Sequence, residues 1–183
     1  MPKLLTLDEF LDKIPTDKPQ DYDGAFGGEC IDLIKFLLDW VYWLKPGRIG
    51  NANELFEDKY KVLSNLFKQI HGSMDLLRWD IIFLNTGISF QHVGIFLRDL
   101  GDSVEIFDQV WNWDKVGWEI PPWIRKWPKS IVRWVWRSKA IDSVSEEINE
   151  FCDQLWIRKR WNDEFYSCRE ILSILVRMQN ANK

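Results

Sequence analysis

The stretch that decides the reading is "DYDGAFGGECIDLIKF", residues 21–36. It opens with two aspartates, runs through Gly24, Gly27 and Gly28, and delivers Cys30 at the edge of an apolar pattern. From Cys30 onward the apolar positions are 30, 31, 33, 34, 37, 38, 41 and 44, which is a helical period. "KPG" at 45–47 stops that helix. A helix N-terminus favours a thiolate, because its unpaired N–H groups and macrodipole stabilise negative charge. Glu29, beside the cysteine, works the other way. Two readings of Cys30 follow: a small structural residue at a helix start, or a nucleophile.

The acids before it fit a calcium loop of twelve positions. Asp21, Asp23 and Asp32 supply carboxylates at positions 1, 3 and 12, while Ala25 and Gly27 supply carbonyls at positions 5 and 7. The glycines let the backbone close around an ion. The match to an EF-hand is imperfect, since Phe26 stands where that loop needs glycine. The alternative is a solvated acidic turn that caps the helix.

His92 lies in "SFQHVGIFLRDLGDSVEIFDQVW", residues 89–111, which reads as a β-hairpin. A three-residue loop "DLG" with Gly101 last pairs Arg98 with Asp102, Phe96 with Val104, Gly94 with Ile106 and His92 with Asp108. Directly opposed residues share a face, so Asp108 is predicted to accept a hydrogen bond from the imidazole. A two-residue loop sets His92 against Gln109 and turns Asp108 away.

The rest of the chain frames these residues. With 183 residues, 46% of them hydrophobic, it can bury one sizeable core. A net charge of −4 and a pI near 5.3 give no nucleic-acid footprint. No apolar run approaches the roughly 18 residues of a membrane span. The start, "MPKLLTLDEFLDKIP", has acids within its apolar pattern and reads as a short surface helix, not a signal peptide. Synthesis in a cytosol is expected. "GNANELFED" offers Asn51 or Asn53 as the N-cap of a further helix. "RWDIIFLN", "QHVGIFLR", "SVEIFDQVW" and "SIVRWVWR" read as antiparallel strands, giving an α+β unit over residues 1–140.

Residues 141–183 read as a helical extension, a hairpin opened by a capping box from Ser143 to Glu146. Cys152 and Cys168 lie about equally far from its turn, as buried thiols or as a disulfide. "WIRKRW" at 156–161 is a basic aromatic stretch, either a solvated helix end or a contact for anionic polymers. Seven of the twelve tryptophans fall between Trp111 and Trp136. Alternating Trp134 and Trp136 read as core. Trp111 and Trp113, just beyond Asp108, are equally readable as core or as the wall of a substrate groove.

At these residues the chain resembles a family. "DYDGAFGGECIDLI", "GNA", "WDIIFLN…QHVGIFL" and "FDQVW" look like the CHAP domain, the cysteine- and histidine-dependent amidohydrolase/peptidase, over roughly residues 5–137. The resemblance implies a papain-like α+β fold, N-terminal helices packed on an antiparallel sheet. It implies Cys30 as nucleophile, His92 as general base and Asp108 as the acid orienting it. In some phage members a calcium site precedes the cysteine. Here it maps to Asp21, Asp23 and Asp32, with Ala25 and Gly27 as carbonyl donors and a structural role.

The implied activity is cleavage of an amide bond in bacterial peptidoglycan by a phage endolysin or virion-associated lysin. It would be made in a host cytoplasm and reach the wall through a holin-dependent exit; on the groove reading, Trp111 and Trp113 would cover its glycan. The sequence departs from the family's pattern at three places: Glu29 where glutamine is common, Val110 where asparagine often follows the acid, and Trp79 where glycine often precedes Asp80. The first two favour the alternative, a non-catalytic CHAP-like module that only binds cell wall.

Overall fold

The computed structural model describes residues 5–139, except 26, 48, 60, 72–75, 88–90 and 113–117. The chain divides into two compact units, Met1–Lys139 and Ala140–Lys183. The second unit lies outside the described residues, and with it the expected helical hairpin, Cys152, Cys168 and the basic stretch at 156–161.

Helix α1 spans Leu7–Lys13 and starts at Thr6, whose side chain accepts from the Glu9 N–H while Glu9 reaches back to the Thr6 N–H. Helix α2 spans Cys30–Tyr42. It buries Ile31, Leu33, Ile34, Leu37 and Leu38, the stripe its period dictates. Helix α3, Ala52–Phe56, is capped by Asn51 through the Glu54 N–H.

The strands are β1 (Phe67–His71), β2 (Ile81–Leu84), β3 (His92–Asp99), β4 (Ser103–Asn112), β5 (Trp118–Pro128) and β6 (Val132–Ser138). They form an antiparallel sheet in the order β1-β6-β2-β3-β4-β5. Strand β2 is buried at all four positions because both sheet faces are covered. Ile81 and Phe83 join the helices in one core with Phe10, Leu33 and Leu37, while Ile82 and Leu84 join Phe96, Val104, Ile106 and Val135 in a second.

The β3–β4 hairpin departs from the predicted register. The chain turns through Gly101–Asp102, with Leu100 N–H donating to the Ser103 carbonyl at 2.9 Å and Gly101 at φ 87°. Asp99 then pairs with Val104 and Arg98 with Glu105. Such a two-residue loop alone would turn Asp108 to the far face. A bulge at Leu97 corrects this, because the register advances two residues on β3 for one on β4, giving Phe96–Ile106 and Ile95–Phe107. The expected pairs Phe96–Val104, Gly94–Ile106 and His92–Asp108 do not form as direct partners. The true register is displaced by two residues, and an even displacement preserves the face.

Candidate active site

Continuing the observed register sets Gly94 beside Asp108 and leaves His92 on the diagonal. A side chain at Gly94 would come within 2.4 Å of Ile106 Cγ2 and 3.0 Å of Asp108 Cβ. The missing side chain opens the diagonal, and His92 Nε2 lies 2.8 Å from Asp108 Oδ2. Both groups are buried, Asp108 completely.

Strand β5 completes the surroundings of the carboxylate. Trp127 Nε1 donates to Asp108 Oδ2 at 2.8 Å, and Arg125 Nη1 pairs with Asp108 Oδ1 and donates to its main-chain carbonyl at 2.7 Å. Arg125 is itself held by the Pro121 carbonyl at 2.9 Å. The Trp127 ring packs against the imidazole with centroids 5.3 Å apart. A buried carboxylate needs such partners to stay charged. Arg125 and the role of Trp127 as a donor to Asp108 are not legible in the sequence, where Trp127 is one of a cluster of tryptophans near the site, because strand β5 carries Pro121, Pro122 and Pro128 and shows no ordinary strand signal. Register with β4 shifts opposite those first two prolines, as a bulge allows.

Cys30 is the first residue of α2, half-buried, and its thiol is near enough to His92 to act on the imidazole's pKa. Burial pushes the imidazole pKa down, but hydrogen bonds to Asp108 and Cys30 and the charges of both outweigh it, raising the value to about 10. The imidazole and the carboxylate are thus in direct contact, with the sulfur near enough to raise the ring's pKa.

Gln109, fully buried and next to Asp108, ties this strand to the segment before the thiol. Its Nε2 donates to the carbonyls of Gln20 and Glu29, both at 2.7 Å, and its Oε1 accepts from the Gln20 N–H at 2.7 Å. Glu29 is half-buried, and burial, with Asp32 close by, pushes its carboxyl pKa up.

The acidic loop packs over α2. Tyr22 donates to Asp39 Oδ2 at 3.0 Å and meets Phe36 edge-on at 5.0 Å. One oxygen from each of Asp21, Asp23 and Asp32 lies within 4.8 Å of the others. Ala25 is exposed and Gly27 half-buried in the same loop. A calcium ion asks for six to eight oxygens around it. The donors are of the right kind, but Lys35 Nζ stands 2.7 Å from Asp23 Oδ2 and 2.9 Å from Asp32 Oδ1. With that ammonium in place the loop does not fit a divalent ion. Trp111 contributes backbone to β4 opposite Glu119, its side chain lying outside the description, and Trp113 falls outside the described residues.

No protein-family profile matches the chain. No curated protein matches it either. Among solved structures it is similar to the crystal structure of a wild-type endolysin, LysIME-EF1, with a TM-score of 0.59 and 21% identity over 74% of this chain. The fold is endolysin-like. The match spans 65% of that endolysin's chain, less than two thirds of its length. Among the described residues, no helix is long and apolar enough to cross a membrane.

Proposed function

We propose that the unit containing Cys30 is a papain-like hydrolase of the CHAP type that cleaves an amide bond in bacterial peptidoglycan. The observation that carries this reading is the buried contact of His92 with Asp108, with a cysteine at a helix start near enough to raise the imidazole's pKa. The likeness to an endolysin fold supports the substrate class.

The chemistry follows from the residues. His92 takes the Cys30 proton, a transfer favoured by the imidazole's raised pKa. The sulfur attacks the amide carbonyl carbon, and N–H groups at the start of α2 stabilise the oxyanion. The tetrahedral intermediate collapses, the C–N bond breaks, and His92 protonates the departing amine. Water then attacks the thioester with His92 again as base, releasing a carboxylate and restoring Cys30. Asp108 keeps the ring oriented and balances its charge. No step needs a metal ion. On this reading the chain is made in a host cytoplasm and acts at the cell wall, as an endolysin or virion-associated lysin.

A second reading, a wall-binding module without turnover, draws on Glu29 and Val110, two departures from the family's pattern at the site. A zymogram on bacterial wall separates the two. The native chain is expected to clear and Cys30→Ala to leave the gel opaque; equal clearing, or none from either, sinks the hydrolase reading. Mass spectrometry of digested wall identifies an amidase by a free muramoyl carboxyl, and an endopeptidase by a new peptide terminus.

A further inference from the structure

We propose that Lys35 is the resident cation of the acidic loop, so that the segment aiming Cys30 is held by an internal ammonium and not by a divalent metal ion. Of the three carboxylates, the buried one most needs a counter-charge. Asp32 has a side chain only 1% exposed, whereas Asp23 is 44% exposed and Asp21 is open to solvent. Leaving a buried carboxylate unpaired is costly, while exposed ones are stabilised by water. Lys35, itself 8% exposed, contacts the buried Asp32 at 2.9 Å and reaches on to Asp23 at 2.7 Å.

The helix makes this arrangement natural. Asp32 and Lys35 are three residues apart on α2 and therefore neighbours on one face. Phe36 and Asp39, on the same stretch, receive Tyr22 and hold the loop down. Three of the four remaining carboxylate oxygens are engaged with backbone. Asp32 Oδ2 accepts from the Glu29 N–H at 2.9 Å, Asp21 Oδ1 from the Gly24 N–H at 2.7 Å, and Asp23 Oδ1 from the Ala25 N–H at 3.1 Å. The Asp32 contact passes the constraint to Glu29, the residue before Cys30. A calcium ion shared by the three carboxylates would face the ammonium at short range, so it enters only by expelling Lys35.

Thermal melting of the purified full chain tests this without reference to catalysis. The native Tm is expected to agree within about 1 °C in excess EGTA and in millimolar calcium, and calorimetric titration with calcium chloride to show no saturable heat. Asp21→Asn, which keeps an acceptor for Gly24 but removes one charge, is expected to melt like the native chain in both buffers. Lys35→Met is expected to lower the Tm by roughly 4 °C or more. If Lys35→Met does not fold, Lys35→Arg serves in its place and is expected to melt near the native value with no response to calcium. A native Tm that rises by several degrees with calcium, a calcium response in the arginine variant, an Asp21→Asn variant that loses stability in calcium, or a Lys35→Met variant as stable as the native chain in EGTA overturns the proposal. Because melting is blind to wall cleavage, its outcome and that of the zymogram are independent.

Discussion

Trp127 and His92 meet at a single oxygen of Asp108, each 2.8 Å from Oδ2. The indole N–H can only donate, so it fixes that oxygen as an acceptor and turns the carboxylate toward the imidazole. Arg125 does the same at the other oxygen. Trp127→Phe keeps the ring against His92 and removes only the donor. We expect kcat on soluble wall fragments to fall about tenfold with KM unchanged, since a buried hydrogen bond to a charged group contributes roughly 1.5–3 kcal/mol. An unchanged kcat would show that Arg125 alone suffices to hold Asp108 toward His92.

The raised pKa of His92 has a consequence for stability. In the unfolded chain an imidazole titrates near 6.5; in the fold it holds its proton to about 10. The folded state therefore binds more protons between those values, and stability must fall as pH rises through that window. The contribution is complete below about 6.5 and gone above about 10. We expect Tm to decline from pH 6.5 to 10, and Cys30→Ala, which removes one of the contacts holding the proton, to shift the decline to lower pH. Differential scanning calorimetry across that range measures both; a flat profile contradicts the assignment.

Gly94 tests the diagonal route. An added methyl at this position meets Ile106 Cγ2 and Asp108 Cβ, both in the packed interior. Gly94→Ala is expected to cost roughly 1–3 kcal/mol in denaturant unfolding, the usual range for overpacking, and to reduce turnover more than a comparable loss of stability elsewhere. A variant as stable and active as the parent would mean that Asp108 reaches His92 without that gap.

Glu29 offers a gain of function. An ionised carboxylate beside the thiol cannot donate to an oxyanion, whereas an amide can. Glu29→Gln supplies such a donor and removes a negative charge next to Asp32. We expect turnover at neutral pH to rise by up to about tenfold, a fraction of what a whole oxyanion-hole donor contributes. A decrease, measured on the same wall substrate, would mean that the carboxylate has a role of its own.

Much of this arrangement is legible in the residues, and what is hidden has physical reasons. The α2 start and the strands β2, β3, β4 and β6 follow from period and residue type, whereas the contact between His92 and Asp108 is expected from a turn register that the chain does not adopt. The turn itself does not follow from residue type. "DLG" suits a three-residue loop, but the chain takes a two-residue turn and restores the face with a bulge, which periodicity cannot announce. Strand β5 hides behind its prolines, and with it the two side chains that hold Asp108. Lys35 is easily overlooked for a different reason. In a list of acids at calcium-loop spacing, the cation one turn further along the helix does not register until the fold brings it back. Trp79 shows how a departure from pattern is tolerated. It adopts φ 82°, a backbone region where glycine is at ease, while packing against the helical core and stacking under Arg78 at 4.6 Å.

The prolines of β5 also govern how the molecule meets its own kind. Among the described strands β5 lies at one margin of the sheet, the place where a second copy would add a strand by backbone pairing. Pro121, Pro122 and Pro128 have no N–H to give, and the bulge opposite Asp108–Val110 bends the ribbon besides. Backbone pairing along that margin is therefore interrupted by the prolines, and what the strand offers a partner instead is the exposed side chains of Ile120, Trp123 and Ile124.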